Sequence, residues 1–128
     1  MQPNQYLRAS ARTASSLNVS TLALDNTNEL LHAAMGMVTE SAEFIDALKK
    51  WTAYGKPLDK ANLVEELGDQ LWYIAMAIRA LDTTFEEVFR INIEKLQARY
   101  SNDFTQLEAL SRDLAKERAV LEQVSSDQ

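Results

Sequence analysis

Four carboxylates carry most of the chemistry this chain can do. Glu40 and Glu43, then Glu66 and Asp69, are each spaced i,i+3 inside otherwise apolar, helix-favouring runs. Three residues is close to one helical turn, so each pair stands on one side of its helix. A short, turn-rich segment joins the two runs, which predicts antiparallel helices. Pairs facing each other would put four carboxylates in one cavity, where unpaired charge is costly. A cation should therefore share the cavity. For hard oxygen donors that cation is Mg²⁺, with Mn²⁺ as its substitute. Isolated Glu pairs on helices are usually solvated surface charge. These adjoin aliphatic stripes and lie near Gly36 and Gly68, each of which costs roughly 1 kcal/mol of helix propensity relative to alanine. Close helix approach, or room for a ligand, would explain that cost.

The main chemical rival is a di-iron bundle, which needs Glu-x-x-His motifs on two helices. The sole histidine, His32, lies eight residues before Glu40 and forms no such motif. Oxygen ligands without nearby histidines favour Mg²⁺ over iron or zinc. His32 can be read either as a satisfied bundle histidine or as a substrate contact at the cavity mouth. A complementary stripe follows further on, with Asn92, Lys95 and Arg99 at spacings of three and four. By itself it would be a solvated basic face. Beside four acids it reads as a phosphate-binding face.

Long helices must position these groups. Only three glycines and two prolines punctuate the chain, and β-branched alternation is almost absent. The predicted fold class is all-α, a four- or five-helix bundle with a metal-binding acidic cavity. A first amphipathic helix is expected over residues 4–17, with a break at Asn18-Val19-Ser20. A second should start near Asn26 or Thr27 and reach about Trp51. The Gly and Pro of Tyr54-Gly55-Lys56-Pro57-Leu58-Asp59 mark a turn, and Asp59 is an N-cap candidate for a third helix reaching about Leu81. Thr84 and Glu87 have the spacing of a capping box for a fourth helix, ending near Tyr100. Ser101-Asn102-Asp103 is the next turn, and a last helix should run from Thr105 or Leu107 to about Glu122, with residues 124–128 fraying. The expected packing stripes are Leu30, Ala34, Met37, Ile45 and Leu48 on the second helix. On the third they are Leu63, Leu67, Leu71, Ile74, Ile78 and Leu81, with Glu66, Asp69 and Tyr73 on the neighbouring track.

Size and charge narrow the functional classes. The 128 residues fit a single domain, 1–128. A domain this small buries only about two thirds of its unfolded surface, so pairing of copies is expected, as a homodimer or a dimer of dimers. Nineteen acids against thirteen bases give a net charge of −6. Such a surface repels nucleic-acid backbones. Met1-Gln2-Pro3-Asn4 lacks the basic flank and apolar core of a signal peptide, and no run reaches the ~20 apolar residues of a membrane span. The absence of cysteine fits a cytoplasmic location.

Taken in order, His32-Ala33-Ala34-Met35-Gly36-Met37-Val38-Thr39-Glu40-Ser41-Ala42-Glu43 resembles the first motif of the MazG-like, all-α nucleoside triphosphate pyrophosphohydrolases. The turn at residues 54–59, followed by Asn62-Leu63-Val64-Glu65-Glu66-Leu67-Gly68-Asp69, strengthens the match, and residues 92–100 look like the third motif. The likeness covers roughly residues 26–104, and the ordered combination is far more specific than any one Glu-x-x-Glu. Where the family's fuller first motif begins Glu-Glu-x-x-Glu, this chain has Thr39-Glu40-Ser41-Ala42-Glu43, so Thr39 carries no ligand over. The resemblance implies Glu40, Glu43, Glu66 and Asp69 as Mg²⁺ ligands and catalytic residues. It implies Lys95 as the catalytic phosphate contact, with Asn92 and Arg99 beside it.

The activity so implied is hydrolysis of nucleoside triphosphates, dNTPs first among them, to monophosphate and pyrophosphate by water attack at the α-phosphorus. His32, Trp51, Tyr54 and Tyr73 are candidates to stack on or hydrogen-bond the nucleoside, although each taken singly reads more readily as a core or interface residue. The rival from another class is a noncatalytic helical interaction or regulatory protein, whose case rests on small size, amphipathic helices and an acidic surface; the four acids with Asn92, Lys95 and Arg99 favour the enzyme.

Overall fold

The computed structural model describes residues 1–14, 27–100 and 103–123, and every regular element among them is helical. The expected break at 18–20, a helix start at Asn26, the turn residues Ser101 and Asn102 and the fraying tail lie outside the described residues. Six α-helices are present among the described residues: α1 (Pro3–Ser10), α2 (Thr27–Tyr54), α3 (Lys60–Ala80), α4 (Phe85–Arg99), α5 (Gln106–Leu110) and α6 (Leu114–Gln123). They form two compact units, Met1–Thr84 and Phe85–Gln128. No described helix is long and apolar enough to cross a membrane.

In the first unit, α2 and α3 make the principal contact, and local chemistry sets the turn between them. Gly55 adopts a left-handed φ of 64°, which a side chain would resist. The chain then folds back so that the Lys56 N–H donates to the Lys50 carbonyl at 3.2 Å. Asp59 accepts the Asn62 N–H at 3.0 Å and so caps α3 as expected. The helices run antiparallel, because partners on α3 fall in number as those on α2 rise. Gly36 meets Tyr73, Glu43 approaches Glu66, and Ala47 shares a hollow with Asn62.

The buried residues on these two helices are mostly small. Ala33, Gly36 and Ala47 on α2 are buried, as are Ala75, Met76, Ile78 and Ala80 on α3. A Cβ placed on Gly36 would sit 2.2 Å from the Tyr73 ring, so this glycine marks a close approach. At Gly68 a Cβ would meet nothing within 4 Å. The packing stripes expected from the sequence are therefore only partly right. Ala34, Ile45, Leu67, Leu71 and Leu81 are exposed, whereas Ile78 is buried as expected.

Helix α1 packs on α3 through polar clamps. The Tyr6 hydroxyl donates to the Gly68 carbonyl (3.2 Å), and Trp72 Nε1 donates to Thr13 Oγ1 (2.8 Å). Arg79 Nη1 donates to the Leu7 carbonyl (3.0 Å) and Ser10 Oγ (2.7 Å). The first helix is shorter than expected: after Ser10 it tightens into a 3₁₀ turn over Ala11–Thr13, and Ala14 is extended.

In the second unit α4 packs on α6. The single last helix expected from the sequence is broken in two. Thr105 caps α5 by accepting the Glu108 N–H. The Ser111 hydroxyl bonds back to the Leu107 carbonyl, and Asp113 accepts the Lys116 N–H to start α6. Competition from Ser and Asp side chains for backbone groups is what ends one helix and begins the next.

Candidate metal centre

The antiparallel register brings acids from α2 and α3 together. Glu40, Glu43 and Glu66 each offer a carboxylate oxygen within 4.8 Å of the other two. Glu66 is buried, at 5% exposure, and one of its oxygens accepts the Asn62 side-chain amide at 2.7 Å. That bond, one turn along α3, holds the carboxylate in place. Glu40 is half-buried and Glu43 exposed. Glu43 makes no hydrogen bond or ion pair among the described residues, so its carboxylate is available as a ligand.

Electrostatics mark the cluster as short of positive charge. Burial, and then the negative charges of Glu43, Asp69 and Glu66, hold the Glu40 carboxyl above its usual range; the Thr39 hydroxyl, 3.2 Å away, pulls the other way. Thr39 thus touches the Glu40 carboxylate without adding one of its own. The donor set is oxygen only, and crowded carboxylates of this kind fit a hard divalent cation.

Asp69 stands outside that set of three. It lies with Glu40, Thr13, Trp72 and Tyr73 around a hollow of about 460 Å³. A second hollow, about 380 Å³, holds Glu43 and Glu66 with Asp46, Lys50 and Asn62. The Asp46 carboxyl is held down at about 2 by its bonds to Lys49 and Lys50.

The remaining expected residues are distributed as follows. His32 is half-buried, edge-on to Tyr73 with ring centroids 5.8 Å apart, and its Nδ1 is buried without a hydrogen-bond partner among the described residues. Trp51 and Tyr54 are exposed at the end of α2 and line neither acidic hollow. Asn92, Lys95 and Arg99 belong to the second unit. There Arg99 donates from Nε (3.0 Å) and Nη2 (2.7 Å) to Glu117, a buried carboxylate that also takes two bonds from Arg112.

Sequence reasoning missed Asn62, Thr13 and Trp72. Asn62 precedes Glu66 by four residues, the spacing of a helical side-chain pair, and that signal was available. Thr13 and Trp72 are joined by a contact across 59 positions, which no local pattern announces.

An all-helical fold with a cluster of carboxylates between two antiparallel helices, able to hold a divalent cation, is the class these observations define. The chain belongs to the MazG nucleotide pyrophosphohydrolase domain family, which matches residues 27–104. "Gene 37 protein" of Mycobacterium phage L5 is similar: it is 32% identical over 79 residues, spanning 59% of this chain and 69% of that protein. No solved structure matches the chain. The matched span includes all four acids and Asn92, Lys95 and Arg99, and leaves α1 outside.

Proposed function

We propose that this protein hydrolyses nucleoside triphosphates, with deoxynucleotides as the principal class, to nucleoside monophosphate and pyrophosphate, using Mg²⁺ or in its place Mn²⁺. The observation that carries the reading is the meeting of Glu40, Glu43 and Glu66 within 4.8 Å inside the span that matches a pyrophosphohydrolase family. Glu40, Glu43 and Glu66 would hold the cation, with Asp69 one turn further along α3. When bound, Mg²⁺ supplies charge neutralisation on phosphate oxygens and a more acidic water.

In the proposed reaction a water oxygen bonds to the α-phosphorus while the bond from that phosphorus to its bridging oxygen breaks. The bridging oxygen leaves with pyrophosphate, and the water's proton passes to solvent. Phosphate contact by Lys95, Asn92 and Arg99, and nucleoside contact by His32, Trp51, Tyr54 and Tyr73, belong to the same proposal. So do action of residues 1–128 as one functional domain, a cytoplasmic location and self-association. Self-association is supported by Val38, Ile45 and Val64, whose side chains are 64–70% exposed on α2 and α3.

A nucleotide panel in ¹⁸O-labelled water tests the reaction. The expected result is equal monophosphate and pyrophosphate, with label in the monophosphate. Label in pyrophosphate would mean attack at the β-phosphorus, and orthophosphate release would mean a terminal phosphatase. No turnover of any nucleotide would favour a noncatalytic helical partner.

A further inference from the structure

A third hollow, about 510 Å³, opens at the α2–α3 turn and is lined by Lys50, Lys56 and Lys60 together with Asp59 and Asn62. Local structure holds these lysines together. Lys50 lies in the last turns of α2, the Lys56 N–H is bonded to the Lys50 carbonyl, and Lys60 is the first residue of α3. The Asp59 carboxylate is turned to the Asn62 N–H as a helix cap. Lys50 is shared with Asp46, whereas Lys56 and Lys60 make no ion pair among the described residues. Positive charge is therefore in excess here, in a protein of net charge −6.

This hollow adjoins the acids. Lys50 and Asn62 line both it and the space that holds Glu43 and Glu66. Asn62 joins the two, since its amide is bonded to Glu66. Lys60 and Glu66 are six residues apart, about 9 Å along the α3 axis at 1.5 Å per residue. A diphosphate group and a lysine side chain together cover that distance. Arg99, expected beside Lys95 as a phosphate contact, already gives two of its nitrogens to Glu117.

We infer that the Lys50–Lys56–Lys60 hollow docks the terminal phosphates of the nucleotide and retains them as pyrophosphate after cleavage. The inference rests on the pyrophosphohydrolase reading for its ligand class: a linear polyphosphate whose inner end meets the cation on Glu40, Glu43 and Glu66. Three compact ammonium charges recognise phosphate by charge more than by direction, so the hollow should select for length of the phosphate chain and be indifferent to the base.

The test titrates inorganic pyrophosphate with Mg²⁺ into the full chain by calorimetry and compares the parent with Lys56→Ala/Lys60→Ala. The expected loss of pyrophosphate affinity is roughly tenfold or more, with a similar rise in KM for the triphosphate and an unchanged Mg²⁺-induced rise in Tm. Lys56→Arg/Lys60→Arg should retain most of the affinity, and added salt should weaken the parent more than the alanine variant. Unchanged pyrophosphate affinity in the alanine variant, or no binding to the parent, overturns the inference. If the parent releases pyrophosphate from nucleotides while the variant binds and turns over normally, the hollow is wrong and the reaction stands. If no nucleotide is cleaved but pyrophosphate binds in a lysine-dependent way, the reaction is wrong and the hollow stands.

Discussion

Gly36→Ala sets two effects of opposite sign against each other at one position. Alanine inside a helix is worth roughly 1 kcal/mol over glycine, and at an open site that gain would appear as stability. At Gly36 the new methyl would lie 2.2 Å from Cδ1 and Cε1 of Tyr73 and 2.4 Å from Cγ. The obstacle is the root and edge of a ring, not the end of a flexible chain. Tyr73 is itself held edge-on by Trp72, at 4.9 Å between centroids, and by His32, at 5.8 Å. Overpacking of this kind costs roughly 1–3 kcal/mol, and the depth of overlap places Gly36 in the upper half of that range. The net expectation is a loss of about 1–2 kcal/mol after the propensity gain, or roughly 4–16 °C in Tm for a unit of this size. Turnover should fall too, because Tyr73 shares the hollow of Glu40 and Asp69. Gly68→Ala, where a Cβ meets nothing within 4 Å, is the control and should raise Tm. Thermal melts of both variants decide the matter. The double variant Gly36→Ala/Tyr73→Ala should also cost less than the sum of its parts. A Gly36→Ala protein that melts above the parent, as the control does, would refute the close approach.

Other consequences can be checked separately. Glu66→Gln and Glu43→Gln should stay helical by circular dichroism but lose most Mg²⁺-induced stabilisation, which reaches about 2.7 kcal/mol at one hundred times Kd; a normal metal response in both would remove them as ligands. Asp69→Asn, outside the set of three, should spare more of that stabilisation while still depressing turnover, and equal loss in both assays would count against the distinction. Arg112 and Arg99 hold the Glu117 carboxyl down from 4.5 to about 2. Its contribution to stability should therefore be complete above pH 4.5 and disappear as pH falls through about 2; urea melts should show Glu117→Gln flattening that acid limb, and an identical pH dependence in parent and variant would contradict the pairing. Val64→Glu, on the exposed apolar side of α3, should shift light scattering toward monomer, whereas a parent already monomeric at all working concentrations would end the case for self-association.

How legible the protein is from its sequence depends on the range of the interactions involved. Asp59 as a cap, the Gly55–Pro57 turn and the i,i+3 acid pairs are set within a few residues, and the all-helical fold, the limits of α2–α4 and the acid pairing across two helices follow from them. Local competition also split α5 from α6, through Ser111 and Asp113. Which face each helix buries was decided only in three dimensions. At Gly36 the missing side chain lets the Tyr73 ring of α3 approach the α2 backbone, while Ala33 and Ala47 are buried on α2. That approach sets which carboxylates meet: Glu40, Glu43 and Glu66 converge, and Asp69 shares a hollow with Glu40. Arg99 reads as a phosphate clamp in sequence, yet in the fold it gives Nε and Nη2 to Glu117, 18 positions away. Thr13 lines the acidic hollow and accepts the Trp72 indole N–H from 59 positions away. Charge and periodicity are written along the chain, but the partner of each charge depends on which backbones can pack closely.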